Sequence, residues 1–317
     1  MEKEYVVGVD IGGQSAKIGI MDRFAHIVAR KKMDTKIYGA QDGEKFMNDL
    51  SNNILELSSQ VSVEAIKGIG IGAPNGNYYH GTIEDAANLP WGKGKVVPLK
   101  EYIYKKTGLP VTVTNDANAA AIGEMTYGTA KGMKNFIEIT LGTGVGSGIV
   151  INGELVYGHD GFAGELGHTC AVRHNGRQCN CGKTGCLETY ASAIGVARTA
   201  REWLDMTDEP SSLRSLIDIS SKDVFDAAMK GDKIAVKIFE FTGKMLGTSF
   251  SDFVAFSAPE AIVLFGGLAD AGDLIMKPTK DAMEANLLGI WKDKVQILKS
   301  GLNEADAAIL GAGALAW

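Results

Sequence analysis

Two stretches of this 317-residue chain share one plan. GVDIGGQSAKIGI, residues 8–20, and IEITLGTGVGSGIVI, residues 137–151, each read as strand, glycine-rich turn, strand. Glycine spread evenly would indicate a flexible linker. Here the 40 glycines cluster beside β-branched runs, as in GVDIGG, GIGIGAPNG, LGTGVGSG, GFAGELG and FGG. Clustering of that kind marks tight turns and close approach of backbone to something else. The repeat therefore predicts an α/β chain of two lobes, each organised on its own glycine-turn hairpin.

Strands are expected at 5–11, 16–21, 27–31, 66–71 and 111–114 in the first part, and at 136–141, 148–151, 261–265 and 295–299 in the second. Residues 42–60 place Phe46, Leu50, Ile54 and Leu57 on one helical face. Further helices are expected after TND at 114–116, where Asn115 or Asp116 can cap a first turn, and at 187–204, 221–230, 232–256 and 305–316. The lobe boundary falls near 116–128. The expected division is 1–117 plus the final helix, about 302–317, against a larger lobe at 118–301.

A chain this long buries enough surface to need no covalent staples. A net charge of −6 argues against a nucleic-acid or anionic-membrane surface. MEKEYVVGVD lacks a signal-peptide build, and no apolar run approaches the roughly 18 residues of a membrane span. The expectation is a cytoplasmic protein with reduced thiols.

All four cysteines lie in HTCAVRHNGRQCNCGKTGCLE, residues 168–188. His168, Cys179, Cys181 and Cys186 form a Cys3His set of the kind that holds tetrahedral zinc, with the loop 168–186 folded around the ion. Four protein ligands make such a site structural and leave no open position for a zinc-dependent hydrolase. Cys170 is left over, His174 could replace His168, and a reactive thiol is the competing reading. GKT at 182–184 is not a phosphate loop, because Arg177 stands where that motif needs glycine. GIGIGA at 68–73 matches a dinucleotide fingerprint, but Pro74 follows at once. Asp10 ends a strand before Gly12 and Gly13, whose amides can face an anion, with Ser15 and Lys17 nearby; the turn at Thr143 could grip a polyphosphate from the other side. Asp116, at a strand end opening a helix, is either an N-cap or a general base.

Taken together, DIGG (10–13), NDANAAAIGE (115–124), LGTGVGSGIV (141–150), GFAGELGH (161–168), CNCGKTGCLETYAS (179–192) and LFGG (264–267) resemble the ROK family of sugar kinases and repressors. The resemblance implies the actin-like/hexokinase (ribonuclease H-like) fold, two α/β lobes with a cleft between them. The family's repressors carry an N-terminal helix-turn-helix; with Tyr5 opening the first strand, the resemblance points to a kinase.

It implies that Asp116 takes the proton of a sugar 6-hydroxyl. Asn88, Asn115, Glu165, His168 and Glu188 would contact the sugar. Asp10, Gly12, Gly13, Thr143, Gly144, Gly266 and Gly267 would line ATP, with Mg2+ arriving on the nucleotide. Zinc on His168 would fix its ring from behind the sugar pocket. Glucose is the implied hexose, with N-acetylmannosamine and fructose as alternatives, a non-catalytic sugar sensor as the alternative class, and a homodimer as the implied assembly. Two segments depart from the family pattern: GGQSAK, which displaces Lys17, and GAPNGNYYHG, which leaves roles for Gly76 and Asn77 open.

Overall fold

The computed structural model describes residues 3–317, the side chain of Glu304 excepted. Strands β1 (Tyr5–Ile11), β2 (Ser15–Asp22) and β3 (Ile27–Asp34) form an antiparallel meander. Helix α1 (Gly43–Ser58) and β4 (Ile66–Ala73) follow, then a small sheet of β5 (Gly76–Asn77), β6 (Thr82–Glu84) and β7 (Val96–Val97). Helix α2 (Leu99–Thr107), β8 (Val111–Asn115) and α3 (Asp116–Tyr127) lead to the second hairpin, β9 (Phe136–Leu141) and β10 (Val145–Ile151), with β11 (Glu154–Leu155) at its edge. After the cysteine-bearing loop come α4 (Glu188–Ala191), α5 (Ala193–Met206), α6 (Ser221–Met229), α7 (Lys233–Ser257), β12 (Ala261–Phe265), α8 (Asp273–Asn286), β13 (Gln296–Lys299) and α9 (Glu304–Ala314).

The two large sheets repeat one topology. The first runs β3-β2-β1-β4-β8 and the second β11-β10-β9-β12-β13. In each, a meander supplies antiparallel strands, its first strand pairs in parallel with a later strand, and that strand pairs in parallel with a last one. Alternation then divides each sheet into two faces. Val7, Val9 and Ile11 face one core with Phe46, Leu50 and Ile54 of α1. Ile137, Ile139 and Leu141 face another with α5 and α7.

The opposite faces carry α9 and α3. Helix α9 lies on β1 and β4 so closely that a Cβ at Gly8 would stand 2.1 Å from the Ile309 carbonyl oxygen, and one at Gly70 1.8 Å from that of Ala312. Helix α3 lies on β10, where a Cβ at Gly148 would stand 2.5 Å from Ala121 Cβ. The helices cross each other at Gly123 and Gly311. The glycine of GIGIGA thus serves helix packing, which is why the dinucleotide pattern appears without a dinucleotide loop.

One local expectation needs correction, and two helices were not expected. The helix expected at 187–204 breaks at Ser192, whose extended backbone ends α4 and whose side chain caps α5 by accepting from the Gly195 amide. Helix α2 is not evident in the sequence because it buries only Leu99 and Ile103. Helix α8 is hidden by Pro278, which lies inside it and packs where α7 has Gly243. Among the described residues no helix is long and apolar enough to cross a membrane.

Candidate active site

A cavity of about 470 Å3 opens between the two large sheets. Pro74, Asn75, Asn88, Asn115 and Asp116 line it from the first-sheet side. The turn Gly142–Gly144, Ser147, Glu165, His168, Glu188, Gly266 and Gly267 line it from the second. Two hollows elsewhere, near α7–α8 and near Glu209–Asp232, are larger but gather no such set of groups from two sheets.

Asp116 sits at the C-terminal end of β8, where it opens α3. Asn115 is the cap: its Oδ1 accepts from the Ala117 amide at 2.9 Å, and Asp116 Oδ1 accepts from the same amide at 2.9 Å. The dipeptide thus caps the helix with an oxygen from each side chain. Asn115 retains its NH2 and Asp116 its second oxygen for the cavity. Asp116 is open to the cleft, yet protein surrounds that cleft closely, and this desolvation pushes its carboxyl above the usual range. Asp10 is raised to about 6, first by burial and then by the Asp116 charge, with Lys17 pulling the other way. Lys17 is the cross-strand partner of Asp10.

Asp10, Gly12 and Gly13 do not line this cavity; they lie just beside it. A Cβ at Gly13 would stand 2.9 Å from the Asn88 carbonyl oxygen, so the first glycine turn backs the segment that carries Asn88. Trp91 anchors the same segment by stacking on Phe46 of α1 at 4.1 Å.

Glu188 has a role that the sequence does not announce. Its Oε2 accepts from the Val145 amide at 3.0 Å, directly behind the turn Gly142–Gly144. Its Oε1 lies 3.7 Å from Cys179 Sγ. One carboxylate thus joins the glycine-rich turn to the cysteine loop. Ser147, Thr140, Asn75 and Phe265 also line the cavity without having been singled out; the LGTGVGSG and GAPNG runs were the signals available for Ser147 and Asn75, and LFGG for Phe265.

The cysteine loop brings His168, Cys179, Cys181 and Cys186 together, with one ligand atom from each and all within 4.8 Å of one another. His168 Nδ1 stands 3.7 Å from Cys179 Sγ, and Cys181 Sγ is 3.7 Å from Cys186 Sγ. Zinc–ligand bonds of about 2.0–2.3 Å in a tetrahedron put neighbouring donors about 3.3–3.8 Å apart, so these residues fit a structural zinc ion. Cys170 stands outside the set, its thiol 3.5 Å from the Val172 carbonyl. His174 does not join it.

With Nδ1 among the thiols, His168 turns Nε2 toward Glu165, 4.0 Å away. Arg177, buried two residues before Cys179, braces the loop. It bonds Glu202 and Thr199 of α5 and the Thr189 carbonyl, and it stacks 4.5 Å over Tyr190. Lys183, of the misleading GKT, donates to the His168 carbonyl at 2.7 Å.

Comparison with known proteins gives the family and the fold. The ROK family model matches residues 6–317. A glucokinase of Halalkalibacterium halodurans is 39% identical, covering 99% of this chain and 95% of the relative. The crystal structure of a ROK family glucokinase from Streptomyces griseus with glucose and AMPPNP superposes with a TM-score of 0.80 at 32% identity, covering 98% of each chain. The xylose repressor of Caldicellulosiruptor bescii is 29% identical over 88% of this chain and 69% of its own length. With a match along nearly its whole length and the two-lobed actin-like/hexokinase architecture in place, the chain belongs to the ROK family.

Proposed function

We propose that this protein is an ATP-dependent hexokinase that phosphorylates the 6-hydroxyl of a hexose, with glucose the favoured substrate. The observation that carries the reading is the convergence of Asp116, Glu165, His168 and the turn Gly142–Gly144 on one cavity between two sheets. A carboxylate, a ring nitrogen and an open turn of amides are what a sugar hydroxyl, a sugar ring and a phosphate chain require. The glucose preference draws on the glucokinases to which the chain is similar.

In the proposed reaction Asn115 and Asn88 hold hydroxyls on the first-sheet side, while Glu165, His168 and Glu188 hold the other end of the ring. Asp116 orients the 6-hydroxyl and accepts its proton as the bond to phosphorus forms. A carboxylate is far too weak a base to make a free alkoxide, but phosphoryl transfer with a loose transition state asks only for late proton acceptance. The turn at Thr143 and Gly144, with Gly266 and Gly267, receives the nucleotide; Asp10, with Gly12 and Gly13, meets its phosphate end. Mg2+ carried by ATP would neutralise phosphate charge, and Asp10 is the carboxylate placed to hold its water shell. The lobes 1–117 with 302–317, and 118–301, would close to exclude water and limit ATP hydrolysis. Structural zinc would hold His168 from behind, as its Nδ1 placement supports.

A panel of glucose, fructose, mannose, allose and N-acetylmannosamine with ATP and Mg2+, read by coupled ADP release, tests the reading. Glucose is expected to give the highest kcat/KM. No ADP release with any sugar, together with sugar-dependent thermal stabilisation, would replace the enzyme by a sugar sensor, a possibility raised by the repressor relatives.

A further inference from the structure

The segment GAPNGNYYHG, residues 72–81, has so far no role beyond Pro74 and Asn75. The structure shows what the rest of it does. Asn77 is 1% exposed, and its side chain is fully engaged with backbone. Its Nδ2 donates to the Asp160 carbonyl at 2.8 Å, and its Oδ1 accepts from the amides of Tyr79 and His80 at 3.0 and 3.2 Å. Gly161 fits beneath it at φ +91°; a Cβ there would stand 2.8 Å from Asn77 Oδ1. The Tyr78 ring stacks on Tyr157 at 3.9 Å and 9°. Tyr79 meets both rings edge-on at 5.8 and 6.1 Å, and its hydroxyl donates to the Gly158 carbonyl at 2.8 Å.

These contacts join two parts of the chain that start from different sheets. Residues 76–80 follow β4 of the first; residues 157–161 follow β11 of the second. On each strand of chain the cavity is only a few residues away: Pro74 and Asn75 on one, Glu165 and His168 on the other. A further polar tie on this path is Ser147, whose hydroxyl bonds the Gly164 carbonyl and accepts from the Leu166 amide at 3.1 Å.

We propose that Asn77, Tyr78 and Tyr157 are positioning residues, forming a clasp that holds segment 157–165 against residues 76–80 and so registers Glu165 and His168 on Asn115 and Asp116. The inference rests on the hexose site proposed above. A stacked aromatic pair suits this place because it can part and re-form without stranding a buried charge, as an ion pair would. The clasp acts on the sugar end of the site and leaves the glycine turn at Gly142–Gly144 to Glu188.

The test compares the full-length protein with Tyr78→Ala, Tyr157→Ala, their double variant and Tyr78→Phe, using amide hydrogen exchange and steady-state kinetics. Exchange at residues 157–165 is expected to quicken by roughly 3- to 10-fold in each alanine variant and to stay at the parent rate in Tyr78→Phe, which keeps the stack. The KM for the hexose is expected to rise by a similar roughly 3- to 10-fold, with the KM for ATP moving less than about 2-fold, and the double variant no worse than either single one. Parent-like exchange at 157–165 in Tyr78→Ala, or equal shifts in both KM values, overturns the proposal. A parent protein inactive on every hexose overturns the proposed function instead, and the exchange measurement still decides the clasp.

Discussion

Two strands that occupy the same place in the two sheets fill one equivalent position in opposite ways. Gly8 of β1 and Glu138 of β9 each lie three residues before the strand's end, on the face covered by a helix. At Gly8 the backbone of α9 descends onto the sheet and leaves no room for a side chain. At Glu138 the face beneath α3 admits a carboxyl group that is fully buried and has no hydrogen-bond partner for either oxygen. Burial, reinforced by Glu124 and Asp116, holds that carboxyl well above the usual range. Identical topology thus tolerates opposite solutions: one sheet gives up its side chain to bring a helix close, the other keeps a buried carboxyl group under its helix.

The same asymmetry governs the cleft. The first sheet ends in carboxylates, Asp10 and Asp116; the second ends in an open turn and the cysteine loop, which has no counterpart in the first half. The largest expected effect is on the acid side. Asp116→Ala should lower kcat by about 10²- to 10⁴-fold while hexose binding, read by calorimetry, stays within a few-fold. A near-parent kcat would remove Asp116 from the base role. On the other side, Cys181→Ser should abolish the zinc found by elemental analysis and raise the hexose KM by about 10-fold or more. Metal-free protein with an unchanged KM would show that the loop does not shape the sugar site.

Next in size is the pH profile. If Asp10, at about 6, and the raised Asp116 must both be ionised, kcat/KM should fall more steeply than the roughly tenfold per pH unit of a single group, approaching about a hundredfold per unit below both values. Asp10→Asn should move the limb lower by removing the neighbouring negative charge, at the cost of slower turnover.

Gly8→Ala tests the packed face. It should lower unfolding free energy by about 2–3 kcal/mol, because a backbone carbonyl of α9 cannot step aside as a side chain could. The smallest effect belongs to the other face. A carboxyl raised on folding contributes stability below its ordinary value, 4.5, and loses it as pH climbs through the folded value. Glu138→Met, which has no proton to lose, should therefore gain on the parent as pH rises above 4.5, read in denaturant titrations. A parent-like slope would mean that Glu138 finds a partner after all.

Much of this organisation was legible before the fold was known. The strands at 5–11, 136–141 and 261–265 coincide with the observed ones, because short, largely apolar, β-branched-rich runs bounded by turn residues mark strands buried on both faces. The Cys3His set was legible because only sulfur and imidazole at such spacing can meet one ion, and the four ligand atoms do converge. Asp116 was legible as a choice between cap and base; Asn115 Oδ1 and one oxygen of Asp116 share the cap, and the second oxygen of Asp116 is left to the cavity. What stayed hidden were contacts between distant segments. Nothing near Glu188 in sequence indicates that it bonds the Val145 amide. Tyr78 and Tyr157 are 79 residues apart and carry no local pattern that pairs them.

The chain's own order of residues therefore determined which elements form, which atoms can bind a metal or move a proton, and that two hairpins repeat one plan. Those are consequences of local backbone chemistry and of side-chain periodicity, both present within a few residues. Only the tertiary structure decided which glycines face a helix and which face the cleft, that Glu138 is buried alone, and that two sheets hold one cavity between them. Such facts depend on how separate surfaces meet, and a surface a hundred residues away leaves no trace in the stretch it will cover.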